Sequence, residues 1–164
     1  MSPPRVLLTT YHHAYLKKAG GEHELFSISE KLKCHGLIAD IYGPFSRSLE
    51  SYDVALHFSV HGGGLDLLQY IHGQGKPIAL WPNLWLNAPA PQLTPMVNAY
   101  IDLSNVVIFK SAAEQSMFSG FFDLPESKVR RVITQADPIY RRDAPQGLFA
   151  ALYGLNHYAI GVGI

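Results

Sequence analysis

Short apolar runs alternate with longer amphipathic stretches along the 164-residue chain. Arg5–Thr10 (RVLLTT) predicts a buried strand. Leu25, Ile28 and Leu32 recur at helical spacing within Glu22–His35. Glu22 and Glu24 fall in the first turn of that helix and Lys31, Lys33 and His35 in its last, as the helix dipole favours. Gly36 supplies the stop. Leu37–Tyr42 (LIADIY) predicts the second strand and Asp53–Phe58 (DVALHF) the third, followed by a glycine run and a helix over Leu65–His72. Pro77–Trp81 (PIALW) predicts the fourth strand. Residues 82–95, rich in proline and tryptophan, form an irregular loop leading to a short helix near Pro95–Ile101. Asn105–Phe109 (NVVIF) predicts the fifth strand and Lys128–Ile133 (KVRRVI) the sixth. Between them Ser111-Ala-Ala-Glu114 opens a helix as a capping box, with serine and glutamate each satisfying a free backbone N–H.

Apolar strands joined by helical crossovers predict a parallel sheet covered on both faces. The fold class is therefore α/β: a doubly wound, mostly parallel, Rossmann-like sheet. The domain is expected to span 1–145, with 146–164 as a linker, a helix and a separate apolar strand. In such sheets ligands sit beyond the carboxyl ends of the strands. That singles out the loops Tyr11–Gly21, Ser59–Gly64, Pro82–Pro91 and Lys110–Ala112.

Composition narrows the function. Thirteen basic residues balance thirteen acidic ones, and the only basic pairs are Lys17–Lys18, Arg130–Arg131 and Arg141–Arg142, so no nucleic-acid stripe is present. The single cysteine, Cys34, excludes an internal disulfide and fits a reducing compartment. The opening MSPPRVLLTTYHH lacks the features of a signal peptide, and no apolar run approaches the ~20 residues of a membrane span. The expected location is cytoplasmic. Eight histidines include no HExxH spacing, and no metal site is expected.

The loops carry the candidate chemistry. Gly20–Gly21 precede a helix N-terminus, where free N–H groups favour an anion; the same pair also reads as a plain turn. The spacing is neither GxGxxG nor a P-loop, so dinucleotide and ATP binding do not follow. SVHGGG places His61 at the mouth of the third strand, whereas His57 lies inside that strand as a core histidine. His12 and His13 stand on the first loop. Trp81 reads as core. Trp85, taken alone, reads as packed beneath the proline-rich loop, with contact to a sugar, an acceptor or a membrane surface as the alternative.

Taken in order, VLLTT with GGEHELFSISEKLKCHG, DVALHFSVHG, KPIALWPN, NVVIFKSAAEQSMF and SKVRRVITQADPIYRR resemble the N-terminal domain of a GT-B glycosyltransferase of the retaining family 4 type. The resemblance runs through the whole chain. It implies transfer of a sugar from a nucleotide-sugar donor, with this half binding the acceptor and a C-terminal half holding most of the donor. On that resemblance Gly20 and Gly21 face the donor phosphates, with Lys17 or Lys18 adding charge. His61, Asn83, Trp85 and Ser111 bind acceptor, and His61 is the one catalytic candidate. Asn83 stands where family members often carry a histidine, which puts a histidine role at that loop in doubt.

Tyr158–Ile164 resembles the first strand of the donor domain, and the family's paired glutamates would lie beyond it. The fragment is therefore expected to fold but not to transfer sugar. No cofactor is implied, because the nucleotide sugar is a substrate. The partners implied are that nucleotide sugar, a glycan, lipid or small-molecule acceptor, and the missing C-terminal domain. Peripheral contact with a membrane, and self-association through the edge of the last strand, stay open. Two other readings also stay open: a stand-alone, non-catalytic α/β module binding a small molecule, and part of a nucleotide-sugar epimerase of related fold.

Overall fold

A computed structural model describes residues 2–16, 20–132 and 147–154. The chain divides into two compact units, Met1–Ile133 and Thr134–Ile164. In the first, the elements run β1 (Arg5–Thr9), α1 (Gly20–Cys34), β2 (Ile38–Ile41), β3 (Val54–Phe58), α2 (Leu65–Gly73), β4 (Ile78–Trp81), α3 (Thr94–Leu103), β5 (Val106–Phe109), α4 (Ala112–Phe121) and β6 (Val129–Arg131). The second contains one described helix, α5 (Leu148–Tyr153). The expected strand at Tyr158–Ile164 lies outside the described residues, as do Lys17 and Lys18.

All six strands pair in parallel in the order β2-β1-β3-β4-β5-β6. The sheet is the expected doubly wound α/β sheet. Side chains alternate across it. Ile78 and Leu80 of β4 join the cluster built with Leu68, Val97, Tyr100 and Phe118 of α2, α3 and α4. Ala79 and Trp81 face the opposite cluster, with Leu25 and Ile28 of α1. Both faces are thus dry at the central strands β1, β3 and β4, which is why these are short apolar runs rather than half-polar ones.

The start of one helix differs from the sequence reading. α1 begins at Gly20, two residues before the expected Glu22, so the glycine pair forms its first turn rather than the loop before it. No helix connects β2 to β3; residues 42–53 return over β1 with only a 3-10 turn at Leu49–Ser51. Tyr52 pins that return, buried, with its hydroxyl donating to Asp40 Oδ2 (2.9 Å).

The capping box of α4 forms with a shift. Glu114 N–H donates to Ser111 Oγ (3.1 Å), while Glu114 Oε2 accepts from Lys110 N–H (2.7 Å) rather than from Ser111. Ser111→Ala is expected to destabilise the unit by about 1 kcal/mol, seen as a lower urea midpoint at unchanged slope. An unchanged midpoint would show that the cap contributes nothing.

Candidate functional site

In an open parallel sheet the loops diverge where the strand order reverses, leaving a crevice at the carboxyl edge. Here that point lies between β1 and β3. The loops leaving these two strands are Thr10–Leu16 and Ser59–Gly64, and their rings and glycines interlock.

Gly62, Gly63 and Gly64 all have left-handed φ (75°, 99° and 106°). A Cβ on Gly62 would meet the Tyr11 ring at 3.0 Å. One on Gly63 would meet His12 Cδ2 at 3.0 Å, and one on Gly64 would meet His57 Cε1 at 2.8 Å. The triplet is therefore needed twice over: for its backbone angles and for the three rings packed on it. The Tyr100 hydroxyl donates to Gly63 O (3.0 Å) and holds the loop from α3.

Each ring is fixed from its other side. His57 is fully buried, shares a hydrogen bond of 2.9 Å with Thr9 Oγ1, and stacks on Tyr100 at a centroid distance of 5.5 Å. Burial pushes its pKa down to about 4; the Ser59 backbone opposes this and the charge of His12 adds to it. His57 is thus neutral at ordinary pH, the core histidine expected from sequence. His12 Nε2 lies 3.0 Å from Asp66 Oδ1 at the start of α2. The Asp66 carboxylate is held below its usual range by the Leu67 backbone N–H first and by His12 after it. Tyr11 donates to Glu22 Oε1 in the first turn of α1, and that bond is the largest cause of a Tyr11 pKa raised to about 12. A cleft of about 190 Å³ opens beside these groups, lined by Thr10, Tyr11, His12, Tyr15 and Tyr42 among others. A larger hollow of about 320 Å³ lies between α1 and β2, but the interlocked rings and the reversal of strand order place the site at the smaller cleft.

A second group occupies the same edge further along. Lys110 Nζ, after β5, lies 2.9 Å from the Glu24 carboxylate of α1 and 3.3 Å from Asn83 Oδ1 after β4. Two residues at strand ends adopt left-handed backbone without being glycine, Ser59 (φ 78°) and Asn83 (φ 45°). Such strain persists only where the surroundings hold it, and it concentrates at functional sites. α1 ties the two groups together, since Glu22 reaches the Tyr11 loop and Glu24 reaches Lys110.

The residues singled out from sequence fall as follows. Asn83 joins the Lys110 group. His61 is exposed at the mouth of β3, its backbone N–H donating to Ser59 Oγ (3.1 Å). Ser111 is half-buried and its hydroxyl is engaged in the cap. Trp81 is core, but Trp85 is 59 % exposed, so the packed reading of Trp85 does not hold. Trp85→Ala should accordingly change stability by no more than about 0.5 kcal/mol; a large fall in melting temperature would contradict its exposure. Gly20 and Gly21 have neither left-handed φ nor a crowded Cβ position: nothing lies within 4 Å at Gly20, and Phe58 lies at 3.4 Å from a Cβ at Gly21. The backbone does not require glycine at either position.

Sequence reasoning missed Tyr11, Asp66, Glu24 and Lys110 as site residues. Only their place, just beyond a strand or within the first turns of a helix, could have signalled them. Among the described residues, no group of three or more histidine, cysteine, aspartate or glutamate side chains could hold a metal ion. No described helix is long and apolar enough to cross a membrane.

No family model matches the chain, and no curated protein sequence matches it. Among solved structures the fold is similar to that of Anabaena Alr3699/HepE, solved in complex with UDP and glucose. The TM-score is 0.54 at 14 % identity, over 92 % of this chain. The chain spans half the length of that protein.

Proposed function

We propose that this chain is the acceptor-side half of a nucleotide-sugar-dependent glycosyltransferase of GT-B architecture, with residues 1–145 as its domain. The observation that carries the reading is the fold likeness over nearly the whole chain to half of a protein solved with UDP and glucose. The order of family 4-like motifs along the sequence supports the finer statement, transfer with retention at the anomeric carbon. In this reading the first turn of α1, at Gly20 and Gly21, faces the donor phosphates, and glycines that the backbone does not require are consistent with close approach of a ligand. The acceptor lies along the carboxyl edge, against His61, Asn83 and Trp85, with Ser111 at its margin.

The test is transfer itself. The 164-residue chain, given a panel of nucleotide sugars and simple acceptors, should show no turnover above a blank. A protein pairing this half with a donor half should form a product whose anomeric configuration, read by NMR, matches that of the donor. Turnover by the chain alone would overturn the half-enzyme assignment, and an inverted product would overturn retention. Gly20→Ala separates ligand approach from folding. It should leave the denaturant midpoint unchanged or raise it by about 0.4–1 kcal/mol equivalent, while weakening donor use in the paired protein. A lowered midpoint with unchanged donor use would make the glycine structural.

A stand-alone binding module is the second reading. It is favoured by the strand order, because 2-1-3-4-5 is the flavodoxin-like order, here extended by β6. Tight binding of a nucleotide at the β1/β3 crevice by the chain alone would select it.

A further inference from the structure

The Lys110 group has hydrogen-bonding capacity that the fold leaves unused. Both Glu24 carboxylate oxygens lie 2.9 Å from Lys110 Nζ, and the two side chains keep 25 % and 24 % exposure. The ammonium has three donors, of which Glu24 and Asn83 engage two. Each Glu24 oxygen retains a lone pair, and the Asn83 amide N–H donors bond nothing among the described residues. Behind Lys110 stands Glu114, fully buried. Its Oε2 takes the Lys110 N–H, but its Oε1 has no partner. An unmet buried acceptor of this kind is uncommon in a folded protein and calls for a donor.

We propose that Glu24, Asn83 and Lys110 form a hydroxyl-recognition subsite that selects a neutral sugar over an acidic one. The proposal rests on the carboxyl edge being the sugar-binding face, as read above. The chemistry follows from the inventory. A hydroxyl both donates and accepts, so adjacent sugar hydroxyls can give protons to Glu24 and receive them from Lys110 and Asn83 together. A sugar carboxylate only accepts. It would find the lysine already neutralised by Glu24, and would face that carboxylate. Charge balance at the Lys110–Glu24 pair is therefore the selecting element, and it is set by residues 86 positions apart.

The probes are methyl α-D-glucoside and the corresponding glucuronide, titrated into the 164-residue chain and followed by the NMR signals of Lys110 and Asn83. The expected result is glucoside binding about tenfold tighter than glucuronide, the scale of one surface charge interaction. Glu24→Gln frees the ammonium and should reverse the preference. Lys110→Met leaves the carboxylate unpaired and should abolish glucuronide binding while only weakening that of the glucoside. Melting temperatures of both variants establish that they fold. The same preference in Glu24→Gln as in the parent chain would overturn the proposal, as would sugar-induced shifts that leave Lys110 and Asn83 untouched. Turnover by the chain alone would instead remove the half-enzyme reading and leave the sugar preference standing.

Discussion

Gly64→Ala is expected to destabilise the first unit by about 3 kcal/mol, combining left-handed strain with overpacking. Its φ of 106° is hostile to any side chain, and the new Cβ would stand 2.8 Å from a ring that is itself fully buried. Neither the ring nor the helix can yield freely. His57 is held by Thr9 and Tyr100, and α2 starts at the next residue. A denaturant midpoint within error of the parent would mean that the interlocked glycine loop is not as described. Gly20→Ala, at a helical glycine with open space above it, serves as the contrast in the same experiment.

The second large effect is an acid limb. His57 in the folded chain has a pKa of about 4, against about 6.5 when unfolded. Above pH 6.5 both states carry a neutral ring and its titration adds nothing to the balance. As pH falls below 6.5 the unfolded chain takes up the proton first, so stability falls progressively until the folded pKa is passed. The full loss across that window is about 3 kcal/mol. Unfolding free energies measured from pH 8 to pH 4 should show this descent in the parent and not in His57→Gln, compared as a difference between the two chains. Parallel curves would show that His57 is not held neutral by the core.

Much of the architecture was readable from the residues. The central strands β1, β3 and β4 are apolar runs because both faces of the sheet are covered there, while the edge strand β6 (VRR) leaves both arginines exposed. Gly36 ends α1 with φ 80° as the sequence implied. His57 could be placed in the core because it lies inside an apolar strand, between Leu56 and Phe58. The start of α1 was misplaced because glycine is a poor helix former, and the acidic Glu22 looked like the first turn. The site was harder to read. Asn83, His61 and the glycine run could be marked as loop residues after strands. The partnerships that give them chemistry, His12 with Asp66 across 54 positions and Lys110 with Glu24 across 86, leave no local spacing to detect. Trp85 shows the converse. A large aromatic side chain predicts burial by its area, and only the folded loop shows it exposed.

The most direct test of the central claim is to map ligand-induced amide shifts on the 164-residue chain with methyl α-D-glucoside and, separately, with UDP. An acceptor-side half should respond to the sugar along the carboxyl edge, at Gly62, Gly63, Asn83 and Lys110, while UDP leaves those signals in place. Tight UDP binding at the β1/β3 crevice, with those four residues silent to the sugar, would contradict the account.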